Sequence, residues 1–308
     1  MRAAYFVPAA ISSLFEAHVK GPDGRPLEDP TLAGARGGGF VIGAGVLTSA
    51  SVRTSGGPSS VEVLLDGSPH EARTTRAAIS MLMRRLGIGE GLRIRISHRL
   101  QVPMGSGFGT SAAGAMGAVL ALSRALGRPI SVVEASRIAH VADVVSSTGL
   151  GTSEGLVAGG VGLVTEPGAL WIGRIDKIPS PRSLAVVAIA FAPVEKSSVL
   201  GSEDILRGVN AAGAEAMRRI LSNPTVESLL REARAFAERS GLGDREMLSI
   251  ADDLKRAGAL GATQNMIGRA VHAIVPRRKL GDVLRVAAQY GGRLLVSRIH
   301  EGGPRELA

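Results

Sequence analysis

The sequence predicts an α/β (α+β) fold built from two packed units. Three observations predict it. Strand-type and helix-type patterns alternate along most of the chain. The length of 308 residues exceeds the usual size of one domain. The prolines of Ile178-Pro179-Ser180-Pro181-Arg182 break the chain just before a strongly apolar strand, Leu184 to Phe191. The units are therefore read as residues 1–180 and 181–308.

The elements follow in order. Residues 1–65 read as β-rich. Tyr5-Phe6-Val7 is a short apolar run ended by Pro8, and Pro22-Asp23-Gly24 has the residue types of a turn. Gly37-Gly38-Gly39 reads as a turn that leads into a strand over Phe40-Val41-Ile42, and Val61 to Leu65 is a further strand. Ile79, Leu82, Met83 and Leu86 recur at helical spacing within 71–86. Leu92-Arg93-Ile94-Arg95-Ile96 alternates as a half-buried strand does. Ala112 to Leu126 is rich in Ala, Leu and Met and reads as a buried helix, stopped by Gly127-Arg128-Pro129. Ser131 and Glu134 have capping-box spacing, opening a helix to about Val145. Ser146 to Gly151 is a polar, glycine-rich loop. Beyond the break come helices near 203–220, 224–239 and 244–257, with Pro224 suited to a first helical position. A strand at Val271–Val275, a helix at 279–289 and a strand from Arg293 to Ile299 complete the pattern.

Composition narrows the function. Hydrophobic residues make up 45% and charged residues 20%, enough for a sizeable core. The net charge of +9 favours acidic partners, including phosphorylated metabolites. Aromatic residues are only 3%, too few for a base-stacking surface, and no dense Lys/Arg run occurs, so nucleic acid is not expected. The absence of cysteine excludes disulfides, thiolate zinc sites and a cysteine nucleophile. Neither a signal-peptide core nor an apolar run of membrane-spanning length is present, so a cytoplasmic protein without membrane association is expected.

The chemistry concentrates in Pro103-Met104-Gly105-Ser106-Gly107-Phe108-Gly109-Thr110-Ser111, between a strand and a helix. Glycines let backbone N–H groups approach phosphate oxygens, and the helix N-terminus adds its partial positive charge. The hydroxyls of Thr110 and Ser111 can donate to phosphate or ligate Mg²⁺. No lysine follows the glycines, as a P-loop requires, and Thr110 stands where a dinucleotide fingerprint needs glycine. The candidate nucleotide contacts are Pro103, Gly105, Ser106, Gly107, Gly109, Thr110, Ser111 and Ala112. A serine at 111 would also suit a plain helix cap. Elsewhere, Arg36 among glycines suits a carboxylate anchor, since arginine binds carboxylates bidentately; a surface arginine in a glycine turn is the plain alternative. His140 and Asp143, three residues apart, share a helix face.

Pro103 to Ala113 resembles the second signature of the GHMP kinases, Pro-x-x-x-Gly-Leu-Gly-Ser-Ser-Ala, with Phe108 for leucine and Thr110 for serine. Val7-Pro8-Ala9-Ala10-Ile11-Ser12-Ser13-Leu14-Phe15-Glu16 resembles the family's N-terminal signature, and Gly261 to Gly268 a divergent third one. Within the family, Asp29-Pro30, Ala33 to Gly39, His140-Val141-Ala142-Asp143 and Thr148-Gly149-Leu150-Gly151 are similar to segments of the archaeal pantoate kinases. The resemblance implies an N-terminal ribosomal-protein-S5-like unit with a left-handed βαβ crossover and a ferredoxin-like C-terminal unit. It implies ATP and Mg²⁺, with Ser111 and Asp143 as metal ligands and catalytic groups. It implies phosphorylation of the pantoate hydroxyl on the route to coenzyme A, with His140 touching the acceptor. A homodimer is also among the expectations.

Three positions depart from the pantoate kinase pattern, all on the acceptor side. Thr152 stands where an aspartate follows Gly-Leu-Gly, Ala35 where a serine belongs, and Val161 to Thr165 carries no arginine. Thr152 remains a candidate acceptor contact, and Glu154, two residues on, a candidate catalytic carboxylate; a solvated loop acid is its plain alternative. A kinase for another small hydroxy acid or alcohol, or a catalytically weak nucleotide-binding protein, stays open beside the pantoate reading.

Overall fold

A computed structural model describes residues 1–193 and 202–307. The chain opens with two long antiparallel strands, β1 (Arg2–His18) and β2 (Gly34–Thr54). Contrary to the sequence reading, Pro8 does not end the first strand. It sits at a register shift between Pro8 and Ala9, where a bulge tolerates the missing N–H. Nor do Gly37 to Gly39 form a turn; they lie inside β2. A Cβ on Gly37 would stand 2.5 Å from the Leu14 carbonyl oxygen, and Gly39 is as tight against Ile11, so glycine here admits a close backbone.

After the exposed turn at Pro22-Asp23-Gly24, the first sheet has strand order β12-β1-β2-β5-β3-β4. Its further members are β3 (Ser60–Leu65), β4 (Ser68–Pro69), β5 (Leu92–Leu100) and β12 (Arg305–Leu307). β3 and β5 are parallel, joined through α1 (Arg73–Arg85). β6 (Val161–Glu166) pairs with the glycine-rich start of β2, and β7 (Arg174–Ile178) pairs with β6. One face is covered by α1, α2 (Thr110–Ala125) and α3 (Val132–Val145), whose small side chains pack on Val7, Val41, Val46, Ile94 and Ile96. Ser131 caps α3 by accepting from the Glu134 N–H at 3.1 Å, while the Glu134 carboxylate turns to Arg85 rather than closing the box.

The second sheet, β11-β8-β10-β9, comprises β8 (Leu184–Ala190), β9 (Gly261–Gln264), β10 (Ala270–Pro276) and β11 (Arg293–Arg298). Every residue of β8 is buried, because both its faces are covered. Val186 and Ala188 join a core with Ile11, Leu14 and Phe40 of the first sheet and with α5 (Glu203–Ser222) and α6 (Val226–Arg239). Val187 and Ile189 face α7 (Arg245–Arg256) and α8 (Leu280–Ala287). Pro224 precedes the cap of α6 instead of opening the helix; the Thr225 hydroxyl accepts from the Ser228 N–H. The short helix α4 (Thr152–Ala158), in the first half of the molecule, has no counterpart in the sequence reading. Among the described residues no helix is long and apolar enough to cross a membrane.

Candidate active site

The glycine-rich loop joins β5 to α2. Gly105, Gly107 and Gly109 have φ values of +74°, +80° and +65°, which side chains rarely adopt. Gly109 is the N-cap of α2, so Ser111 stands within the first turn and does not cap it. Three segments far apart in sequence hold the loop. The Asn265 side chain donates to the Ser106 carbonyl at 2.9 Å, and the Ala10 N–H to the Phe108 carbonyl at 3.2 Å. The Met266 N–H donates to the Ser12 carbonyl, closing the triangle. Asn265 Oδ1 takes the Nδ1 proton of His272 at 2.9 Å, leaving Nε2 to accept from the Ser13 hydroxyl at 3.0 Å. Complete burial pushes His272 down to about 3, so the ring is neutral and this tautomer follows from its partners.

Gly105, Thr110 and Ser111 line a cavity with Met104, His70, Thr74, Thr75, His98, Ser146, Ser147 and Thr148. Ser106, Gly107, Gly109 and Ala112 are buried, and Pro103 is half-buried. The sequence reading of Gly107 as open toward phosphate needs correction: a Cβ there would stand 2.8 Å from Asn265 Cβ. That glycine leaves room for the third signature segment where a side chain would stand. Asp143 is buried. Its Oδ1 accepts from the Thr148 hydroxyl at 2.7 Å, and Thr148 lines the same cavity as Ser111. His98, held between Thr48 and Thr75 at 2.9 and 3.1 Å, is pushed by burial to about 4 and stays neutral.

A second, largely apolar cleft adjoins the loop. Ile11, Leu14, Phe15, Phe40, Val164, Ile175 and Met266 line it, with Ala35, Arg36 and Thr152. Among the described residues Arg36 is its one charged wall residue, and it is already engaged: Nη1 donates to Glu16 at 3.0 Å and Nε to the Thr165 carbonyl at 3.1 Å. Thr152 opens α4 and touches the loop, since a Cβ on Gly109 would stand 2.6 Å from its methyl group.

His140 and Glu154 do not line this cleft. His140 is wholly buried, with Nε2 donating to the Ala33 carbonyl at 2.8 Å and Nδ1 2.8 Å from Glu154 Oε1. Its contacts are therefore with those partners and not with the cleft. Burial works to lower its pKa, but Glu154, the Ala33 carbonyl and Asp143 outweigh it and the net shift is upward. Glu154 is 3% exposed, not a solvated loop acid. Its Oε1 also accepts from the Ser153 hydroxyl, and Oε2 lies 3.2 Å from where a Cβ on Gly151 would stand. Asn265, His272, Ser13 and His98 escaped sequence reasoning as site residues. Asn265 and Ser13 lay within signature-like segments, and His272 interrupts an otherwise apolar strand; His98 carried no signal.

A phosphate-accepting loop at a helix N-terminus, sharing a wall with a small apolar cleft, defines a small-molecule phosphotransferase. Residues 73–154 match the GHMP kinases N terminal domain, and the chain belongs to the GHMP kinase family. It is 30% identical over 273 residues to the pantoate kinase of Thermococcus kodakarensis, covering 88% of this chain and 86% of that one. It is 28% identical over 296 residues to the pantoate kinase of Methanospirillum hungatei, covering 94% and 95%. A solved structure described as a phosphotransferase related to the CoA biosynthesis pathway superposes with a TM-score of 0.88 at 26% identity, covering 100% of this chain and 99% of that one. The chain is thus an ATP-dependent small-molecule kinase by family.

Proposed function

We propose that this kinase transfers the γ-phosphoryl group of ATP to the hydroxyl of pantoate, giving 4-phosphopantoate for coenzyme A synthesis. The contact between Gly109 and Thr152 carries the reading, because it sets the phosphate loop and the cleft against one another. The apolar lining suits the gem-dimethyl body of pantoate, and Arg36 is the carboxylate anchor. The names of the two curated relatives support the same acceptor. In this reading the loop from Pro103 to Ala112 holds the nucleotide phosphates through the backbone N–H groups that follow Pro103 and the hydroxyls of Thr110 and Ser111. Ser111 and Asp143 hold Mg²⁺; hydroxyl and carboxylate oxygens suit this hard cation, and Asp143 adjoins the cavity that Ser111 lines. The bound ion neutralises phosphate charge. Thr152 orients the acceptor hydroxyl, and Glu154 positions His140 and the Ala33 carbonyl rather than taking a proton from substrate. A loose transition state makes positioning and charge neutralisation the larger part of such catalysis. Residues 1–180 form the S5-like unit, with β3-α1-β5 as its left-handed crossover, and 181–308 the ferredoxin-like unit, except that β12 returns to the first sheet beside β1.

ADP release with pantoate, other hydroxy acids and uncharged alcohols tests the reading. Pantoate is expected to have the highest kcat/KM. Turnover of another hydroxy acid in its place would overturn the acceptor. ATP binding without turnover of any compound would instead favour a nucleotide-binding protein, the reading that Thr152 and the sealed Glu154 favour.

A further inference from the structure

Among the described residues Arg36 is the one charged residue in the wall of the apolar cleft, and Glu16 already neutralises it. β6 contributes no cation of its own: Val161–Glu166 reads Val-Gly-Leu-Val-Thr-Glu. A cation does stand on the neighbouring strand. In the β6–β7 register Gly162 is opposite Lys177 and Val164 opposite Ile175, so these four residues share one face of the sheet. Gly162, Val164 and Ile175 all line the cleft; Lys177 is the fourth member of that face. Opposite it, Gly162 has no side chain, and a Cβ built there would meet only Ile175. A Cβ on Gly160, another cleft residue, would stand 3.0 Å from Lys177 Cε, so the lysine stem runs beside the cleft's own backbone. Its ammonium now donates to the Ala158 carbonyl at 3.0 Å and to Glu301 at 3.2 Å. The side chains of Lys177 and Glu301 are 44% and 56% exposed, and such pairs hold weakly.

We propose that Lys177 is a specificity-determining residue whose ammonium leaves Glu301 and binds the acceptor's carboxylate at the Gly160–Gly162 end of the cleft. The proposal rests on the reading of the acceptor as a hydroxy acid. It makes the carboxylate site a pair of cations on different strands: Arg36 on β2, fixed by Glu16, and Lys177 on β7, free to turn in on a flexible stem. Turning in, Lys177 gives up the Ala158 carbonyl and the half-exposed Glu301 and gains the acid's carboxylate, a charged partner in exchange for a charged partner.

Steady-state kinetics on the full chain test this, with Lys177→Met, Lys177→Arg and Glu301→Gln measured beside wild type. Lys177→Met is expected to raise the KM for pantoate roughly 10- to 100-fold, the loss of one charge-assisted hydrogen bond. The KM for ATP and kcat at saturating acceptor should stay within about twofold, and Lys177→Arg should recover most of the affinity. Glu301→Gln removes the competitor and should leave the pantoate KM unchanged or lower. A pantoate KM within twofold of wild type in Lys177→Met overturns the inference while leaving the pantoate reading intact. An equal loss toward pantoate and its uncharged amide also overturns it, since a charge contact must distinguish them. If wild type turns over a different hydroxy acid, the same variants are read with that acid, and only the identity of the acceptor has failed. If wild type turns over uncharged alcohols alone, both the reading and the inference fall.

Discussion

Asp143 occupies a position where one oxygen is committed to structure. Its Oδ1 accepts from Thr148, and an asparagine carbonyl oxygen can accept the same hydrogen bond. Asp143→Asn is therefore expected to melt within a few degrees of wild type, to lose turnover by roughly 10²-fold or more, and to need more Mg²⁺ for half-maximal rate. An unchanged magnesium titration would remove Asp143 from the metal site. Glu154 tests a different property, the charge state of a buried ring. His140 titrates in the folded protein above its ordinary 6.5. The stability this contributes is fully present below pH 6.5 and is lost as pH rises through the folded value. Glu154→Gln keeps an acceptor for Nδ1 but removes the negative charge. The His140 resonance in proton NMR should then titrate at lower pH, and the loss of stability above pH 6.5 should flatten. A titration curve that does not move would mean that Glu154 leaves the ring's charge alone. Nothing in Thr152-Ser153-Glu154 announces this pair, because its partner lies on α3 and only folding brings the two together.

At the scale of elements, the loop and its helix were legible because local chemistry dictates them. Alternating glycines require left-handed backbone, and the alanine-rich run that follows has no way to be helical except buried. The strand pairings were not legible. Gly37 to Gly39 carry turn chemistry, and only the approach of β1 explains why they are extended. β6, β9 and β12 are six, four and three residues long and depend on partners distant in sequence, and β9 lies beneath helices that hide its backbone. The site was legible to the same degree: the loop's own residues were found, and the segment that clamps it was seen only as a divergent motif. Asn265→Leu breaks that clamp. It leaves the Ser106 carbonyl and His272 Nδ1 buried without partners, each costing about 1–3 kcal/mol. Nucleotide affinity measured by calorimetry and the melting temperature should fall together, with a smaller effect on the acceptor's KM. Unchanged nucleotide affinity in a destabilised variant would separate the clamp from the loop's function.

At the scale of the whole molecule, two neutral histidines anchor opposite halves of the structure. His98 sits against α1 and α2, and His272 in the second sheet. Burial holds them near 4 and 3. As pH falls below 6.5, the unfolded chain takes up protons that both rings refuse, so stability declines with acidification at about 1.4 kcal/mol per pH unit for each ring. Urea midpoints taken between about pH 6 and 5, before most carboxylates titrate, should show this slope. Replacing either ring should halve it, and a flat midpoint would mean that the rings are protonated in the fold.

The position of β12 has a consequence in time. It pairs with β1, and Tyr5 meets Glu306 across 301 residues, while Arg305 lies 4.9 Å over the ring of Phe6. As the chain leaves the ribosome, β1 emerges long before β12, and its outer edge waits for the segments between them to be made. During that interval an apolar strand shows its hydrogen-bonding groups to any neighbouring nascent chain. Closing a loop of this length costs on the order of 5 kcal/mol of chain entropy, so the seal forms late, after the interior has drawn the two ends together. The arrival of β12 thus ends the period in which β1 is at risk.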